Sequence, residues 1–156
     1  MIPPIDKSIT VPCDQKLAFD TFVEGMGTWW PLGKFTYSAM QGAPAQDIRV
    51  DPKPGGEITE IGADGSEVSW GRIETYDPNS YVAMRFHIPA PGYENGGQSL
   101  LEIRFTAVAD GTRVDLHQSD FEAIGEMGEP SRGGYGQGWD MIFVGAYAEA
   151  CKTKAT

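Results

Sequence analysis

Few residues of this chain are of a type and spacing that do chemistry alone. His87 and His117 are its two imidazoles. A catalytic zinc site usually takes three protein ligands and no HExxH-like spacing joins these two, so no metal is expected. The two cysteines, Cys13 and Cys151, lie far apart without a CxxC or Cys/His pattern and are expected as free thiols. No serine sits in a GxSxG elbow and neither cysteine has a neighbouring base, so no motif supplies a nucleophile. The glycine-rich stretch from Gly128 to Gly138 lacks GxGxxG spacing and a following Lys-Ser/Thr, and Glu126 and Glu129 add charge of the wrong sign for phosphate. It reads as a flexible approach to the last helix and a candidate lid. What remains is a set of acid/base groups, Glu74, Tyr76, His87 and Tyr147, available to an enclosed site. No cofactor is expected.

The aromatic residues carry more information. Trp29, Trp30, Trp70, Tyr76, Phe86, Phe105, Trp139, Phe143 and Tyr147 come from every part of the chain, and together they either fill a core or line a cavity. Composition alone favours a filled core, whereas a single sheet curved round one long helix leaves a gap between the layers that side chains need not fill. Arg72 and Glu74 share the strand phase of Val68, Trp70 and Tyr76. That phase implies either a bulge that returns the charges to solvent or a polar anchor in an interior space.

The elements that must position these groups follow from periodicity. Ile5, Ile9 and Val11 predict a short strand, and Asp14 caps a helix carrying Leu17, Phe19, Phe22 and Val23. Gly25 and Gly27 break that helix before Trp29-Trp30-Pro31, giving two short helical pieces. Residues 32–45 show no period and read as loop. From Asp47 to Ser119, Asp-Gly and Pro-Gly turn signals separate short alternating runs, which predicts a meander of antiparallel strands. Alternation groups Val82, Met84 and Phe86 on one face, Leu101, Ile103 and Phe105 on one face, and Val114 with Leu116. Trp139, Ile142, Phe143, Ala146, Tyr147 and Ala150 then form a helical stripe, predicting a long helix from about Tyr135 to Cys151 with Asp140 in its first turn. The architecture is α+β, a sheet gripping its last helix.

At 156 residues and 16.9 kDa the chain has room for one domain, 1–156. Its net charge of −10 opposes nucleic acid and anionic membrane surfaces as partners. No apolar run approaches the ~20 residues of a membrane helix, and the first residues lack a signal-peptide pattern, so a cytoplasmic location is expected.

The order of these elements, with AFDTF at 18–22, WWP at 29–31, PGGE at 54–57, WGRIETYDP at 70–78, DGTRV at 110–114 and GW at 138–139, resembles the START-type, birch-pollen-allergen-like domains of the SRPBCC superfamily. Within it, the chain is most similar to the group named for the C-terminal domain of the activator of heat-shock-chaperone ATPase. The resemblance implies a helix-grip fold, with six or seven antiparallel strands around the C-terminal helix and two short helices between the first two strands. It also implies a cavity in which relatives bind lipids, hormones or polyketides, a few of them as cyclases. By matching position, Trp29 and Trp30 would close one end of that cavity. Trp70, Tyr76, Val82, Met84, Phe86, Leu101, Ile103, Phe105 and Leu116 would line its sheet side, and Trp139, Phe143 and Tyr147 its helix side. Two departures stand out: Gln118-Ser119-Asp120-Phe121 replaces a more usual His-Ser-Gly-Phe, and the approach at 125–138 is unusually rich in glycine. The expected function is binding of a small hydrophobic molecule. The alternatives are an enzyme of the cyclase, dehydratase or hydrolase type, with catalytic residues unassigned, and an interaction module for a chaperone ATPase. A homodimer is left open.

Overall fold

A computed structural model describes residues 1–155. Seven strands form one antiparallel sheet in the order β1-β7-β6-β5-β4-β3-β2. They are β1 (Ile5–Val11), β2 (Asp47–Val50), β3 (Glu57–Ile61), β4 (Glu67–Asp77), β5 (Tyr81–Phe86), β6 (Ser99–Val108) and β7 (Gly111–Ser119). Between β1 and β2 lie α1 (Gln15–Phe22), α2 (Met26–Trp29) and α3 (Tyr37–Met40). Asp14 caps α1 as expected, its carboxylate accepting from the Leu17 amide at 2.8 Å. After β7 the chain makes a 3₁₀ turn and then runs helically to the C-terminus as α4 (Gly128–Trp139), a π-helical stretch (Asp140–Tyr147) and α5 (Ala148–Ala155). This is the helix-grip arrangement. None of the described helices is long and apolar enough to cross a membrane.

Four local expectations are corrected. The last helix begins at Gly128 rather than near Tyr135, so the glycine-rich stretch is helix and not a flexible approach. Tertiary contacts override its low propensity: the Arg132 guanidinium donates to the carbonyls of Pro3 and Pro4, each at 3.1 Å, and Tyr135 is held from inside. Asp140 consequently stands well inside the helical run, where it pairs with Lys7 at 2.9 Å. Residues 32–45 are not all loop, because α3 forms there. Four residues cannot sustain a helix alone, but Thr36 Oγ1 accepts from the Ala39 amide, and the Tyr37 and Ser38 amides donate to the buried Glu60 carboxylate at 2.8 and 2.7 Å.

The charges on β4 are resolved in favour of bulges. Ser69 pairs with Thr59 and Gly71 with Ile58, leaving Trp70 as the extra residue; Ile73 pairs with Met84 and Thr75 with Ala83, leaving Glu74 extra. Each insertion reverses the side-chain phase. Trp70 and Ile73 therefore both point inward while Arg72 and Glu74 reach solvent, Glu74 meeting Arg85 at 3.4 Å. Gly71 sits at φ +141°, and a Cβ there would fall 1.8 Å from the Arg85 carbonyl oxygen, so the bulge requires glycine.

The stripe of the last helix survives the π-helical winding. Trp139, Ile142, Phe143 and Tyr147 are buried, and Phe143 stacks on Tyr147 with an interplanar angle of 3°. Trp139 Nε1 donates to Gln118 Oε1 on β7 at 2.8 Å, and Tyr147 Oη donates to the Ala18 carbonyl on α1 at 2.7 Å. Both polar tips of the stripe are thus satisfied, which lets their rings be fully buried.

A candidate ligand-binding cleft

The fourteen residues expected around a cavity all lie between the sheet and the helical layer, and they pack closely on one another. Trp30 contacts Trp70 with ring centroids 5.0 Å apart, Trp139 at 5.9 Å and Phe86 at 6.2 Å. Phe22, just outside the expected set, meets Phe105, Phe143 and Tyr147. Val82, Met84, Leu101, Ile103 and Leu116 are 0 or 1% exposed beneath these rings. Trp29 donates through Nε1 to the Thr21 carbonyl at 2.7 Å, and Trp30 to the Phe35 carbonyl at 2.8 Å, so both indoles are tied to backbone. Tyr76 is half-buried at the sheet edge against Phe19.

An open cleft of about 290 Å³ lies beside this aromatic cluster, and none of the fourteen lines it. One wall comes from Phe35 and Met40 on the segment around α3. A second comes from the residues just after β5, His87, Ile88 and Ala90. The third is the helical layer, with Met127, Pro130, Ser131, Gly134, Tyr135, Gly138 and Ile142. Lys34 stands exposed at its edge without an ion pair among the described residues. The cluster forms the ground behind the cleft, since Tyr135 stacks on Trp139 at 6.0 Å and also meets Phe86 at 6.0 Å.

Polar chemistry in the cleft centres on His87. Its side chain is buried, and Nδ1 lies 3.0 Å from Tyr135 Oη, which also accepts the Ile88 amide at 2.8 Å. Burial pushes the imidazole down to about 4 and raises the Tyr135 phenol well above its ordinary range, so both are neutral at physiological pH. Of the other candidate acid/base groups, Glu74 is on the solvent side of the sheet, Tyr76 faces α1, and Tyr147 is sealed in the core. His117 is on the surface, with Nδ1 2.6 Å from Asp6. Among the described residues no group of three or more His, Cys, Asp or Glu is placed to hold a metal. Cys13 and Cys151 are free thiols, buried, and adjacent in space despite their separation in sequence.

Sequence reasoning missed Phe35, Met40 and Tyr135 as site residues. Phe35 and Met40 stand in a stretch without periodicity. A signal for Tyr135 was present: it precedes Trp139 by four residues and extends the stripe of 139, 143 and 147 backwards.

Comparisons with known proteins agree with this architecture. No curated protein sequence matches the chain significantly. Among solved structures it is similar to the self-sacrificing resistance protein CalC from Micromonospora echinospora, at 28% identity and a TM-score of 0.63, covering 98% of this chain and 94% of that one. It is similar to the anthrahydroquino-γ-pyrone synthase Txn09 at 27% identity and a TM-score of 0.59, covering 81% of this chain and 82% of that one. The fold is shared with the Aha1 dimer from Colwellia psychrerythraea, at 13% identity and a TM-score of 0.56 over 92% of this chain and 98% of that one. Residues 18–145 match the family described as Activator of Hsp90 ATPase homolog 1-like protein, and the chain belongs to that family.

Proposed function

We propose that the chain binds a small, mainly apolar molecule in the cleft beside His87, with Phe35, Met40, Ile88, Met127 and Ile142 as its apolar walls. The observation that carries this reading is an opening of about 290 Å³ with a mainly apolar lining, into which the His87 imidazole and the half-buried Ser131 bring polar groups, with Lys34 at the edge. Such a site is at the small end of the range that ligand pockets occupy, roughly 300–1,000 Å³, with apolar walls and few placed polar groups. The names of two relatives, a γ-pyrone synthase and a resistance protein, are compatible with small organic ligands. The aromatic cluster behind the cleft serves as a rigid floor. The test is titration with N-phenyl-1-naphthylamine, a neutral apolar dye that brightens when desolvated. Saturable one-to-one binding is expected; a protein that leaves the dye dark overturns the reading.

A second reading, an enzyme of the cyclase, dehydratase or hydrolase type, has one observation in its favour: the His87–Tyr135 pair borders the cleft. The two readings separate on what is recovered. A natural ligand that elutes unchanged after incubation counts for binding, and a chemically altered one for turnover.

A further inference from the structure

We propose that the cleft selects apolar molecules carrying a carbonyl oxygen, such as a ketone, because His87 presents a fixed Nε2–H donor to them. The inference rests on the cleft being the binding site and names the feature that the ligand must carry.

A tyrosine hydroxyl has a single hydrogen to give. Tyr135 Oη accepts the Ile88 amide at 2.8 Å, and a backbone N–H cannot accept in return. Oη has lone pairs enough to accept from an Nδ1–H as well, but its own hydrogen would then lack an acceptor in a buried site among the described residues; the arrangement that satisfies it directs the hydroxyl hydrogen at His87 Nδ1, 3.0 Å away. An imidazole nitrogen that accepts carries no hydrogen, so the ring is the Nε2–H tautomer. Burial keeps the ring neutral, with its value pushed down to about 4, and the tautomer therefore persists at physiological pH.

Nε2 has no hydrogen-bond partner among the described residues, yet it is not a sealed atom. Among the described residues Thr21 Oγ1 is the buried side-chain polar atom without a partner. The His87 ring borders the apolar cleft and also a second, more polar opening beside Gly92, Asn95 and Gly96. The result is a donor of fixed identity on a mainly apolar wall, whose other half-buried hydroxyl, Ser131, can rotate to donate or accept and so does not by itself select a carbonyl. A hydrocarbon filling the cleft would strip water from this donor and return nothing, whereas a carbonyl oxygen restores its bond. Sites built to hydrogen-bond a ligand discriminate most strongly against the analogue that leaves their polar group unpaired. Tyr135 acts here through His87 and is a positioning residue.

The test compares 9-fluorenone with fluorene, which share a tricyclic frame and differ by the carbonyl; both are neutral, which keeps Lys34 out of the comparison. Water favours keeping fluorenone in solution, so the informative quantity is the ratio of the two affinities in wild type against His87→Phe. A threefold to tenfold fall in the preference for fluorenone is expected, with fluorene affinity kept, as befits one net hydrogen bond. Tyr135→Phe should lower the preference part-way. Independently of any variant, ¹⁵N–¹H correlation of the wild-type histidine ring should show the Nε2–H tautomer at pH 7. An unchanged ratio in His87→Phe, or an Nδ1–H tautomer for His87, overturns the inference while leaving the cleft as the site. Failure of both probes to bind wild type overturns the cleft reading itself, and this inference with it.

Discussion

Replacing Gly134 with leucine tests whether the cleft is the binding site, because the substitution should help the fold and harm the ligand. Gly134 lies in α4 and lines the cleft, and a Cβ built on it meets nothing within 4 Å. The helix gains propensity, since glycine is about 1 kcal/mol worse than alanine in a helix interior and leucine is close to alanine. Laying part of the new side chain on the apolar walls, on the order of 40 Å² at ~25 cal/mol/Å², adds roughly 1 kcal/mol. A net gain of about 1 to 2 kcal/mol raises Tm by roughly 2 to 8 °C in a domain of this size. The same side chain projects into a cleft of about 290 Å³ and narrows it, so N-phenyl-1-naphthylamine should bind about tenfold more weakly, the loss expected when apolar contacts worth ~1.4 kcal/mol are blocked. Gly133→Leu is the control: it shares the helix and the empty surroundings but borders a different opening, beside Pro4 and Ile5. It should be stabilised similarly and bind the dye normally. A Gly134→Leu protein that binds the dye like wild type, or a Gly133→Leu protein that loses it equally, would refute the assignment of the cleft.

Three further outcomes follow from the same packing. Glu60→Ala removes the acceptor for the Tyr37 and Ser38 amides, the Ser38 hydroxyl and Trp70 Nε1, and should cost about 3 kcal/mol or more by chemical denaturation; a loss under about 1 kcal/mol would show that α3 does not depend on this anchor. His87 has a folded value of about 4, below the ordinary 6.5, so the unfolded chain takes up the proton first. Its contribution is complete above pH 6.5 and is lost as pH falls towards 4, about 3 kcal/mol across the window; urea melts of His87→Phe should lack this part of the acid slope, and an unchanged slope would contradict the burial of the ring. Cys13 and Cys151 are buried, with Cys151 pushed up to about 12 by burial, so Ellman's reagent should label neither until the protein is denatured. Rapid labelling of the native chain would place at least one thiol at the surface.

The fold was legible wherever a period or a turn signal was strong. The alternation of β5 and β6 and the stripe of 139, 143 and 147 gave the greasy face of the sheet and the helix lying against it. The misreadings occur where tertiary contacts outweigh local preference. Nothing in residues 32–45 announces α3, because its order comes from Glu60, a residue on another strand. The glycines at 133, 134, 136 and 138 argue for flexibility locally, whereas Arg132 and Tyr135 fix that segment from both sides. The bulges at Trp70 and Glu74 reverse the phase twice within β4, which no simple alternation can follow.

The candidate site was harder to read because large rings in a pattern do not reveal whether space is left between them. Here the rings fill the centre of the grip, Trp30 lying 5.0 Å from Trp70 and 5.9 Å from Trp139, and the opening survives where the helix presents Gly134 and Gly138 instead of a bulky side chain. The fold does not require glycine at either place. A Cβ at 134 meets nothing within 4 Å, and one at 138 would make ordinary contact with the Phe35 ring at 3.6 Å. Each glycine nonetheless costs the helix about 1 kcal/mol relative to alanine. What the glycines provide is the cleft between α4 and the walls carried by Phe35 and Ile88. The helix is therefore less stable than its fold allows where it borders this cleft, the relation that the proposed binding role predicts for residues set by a surface and not by packing.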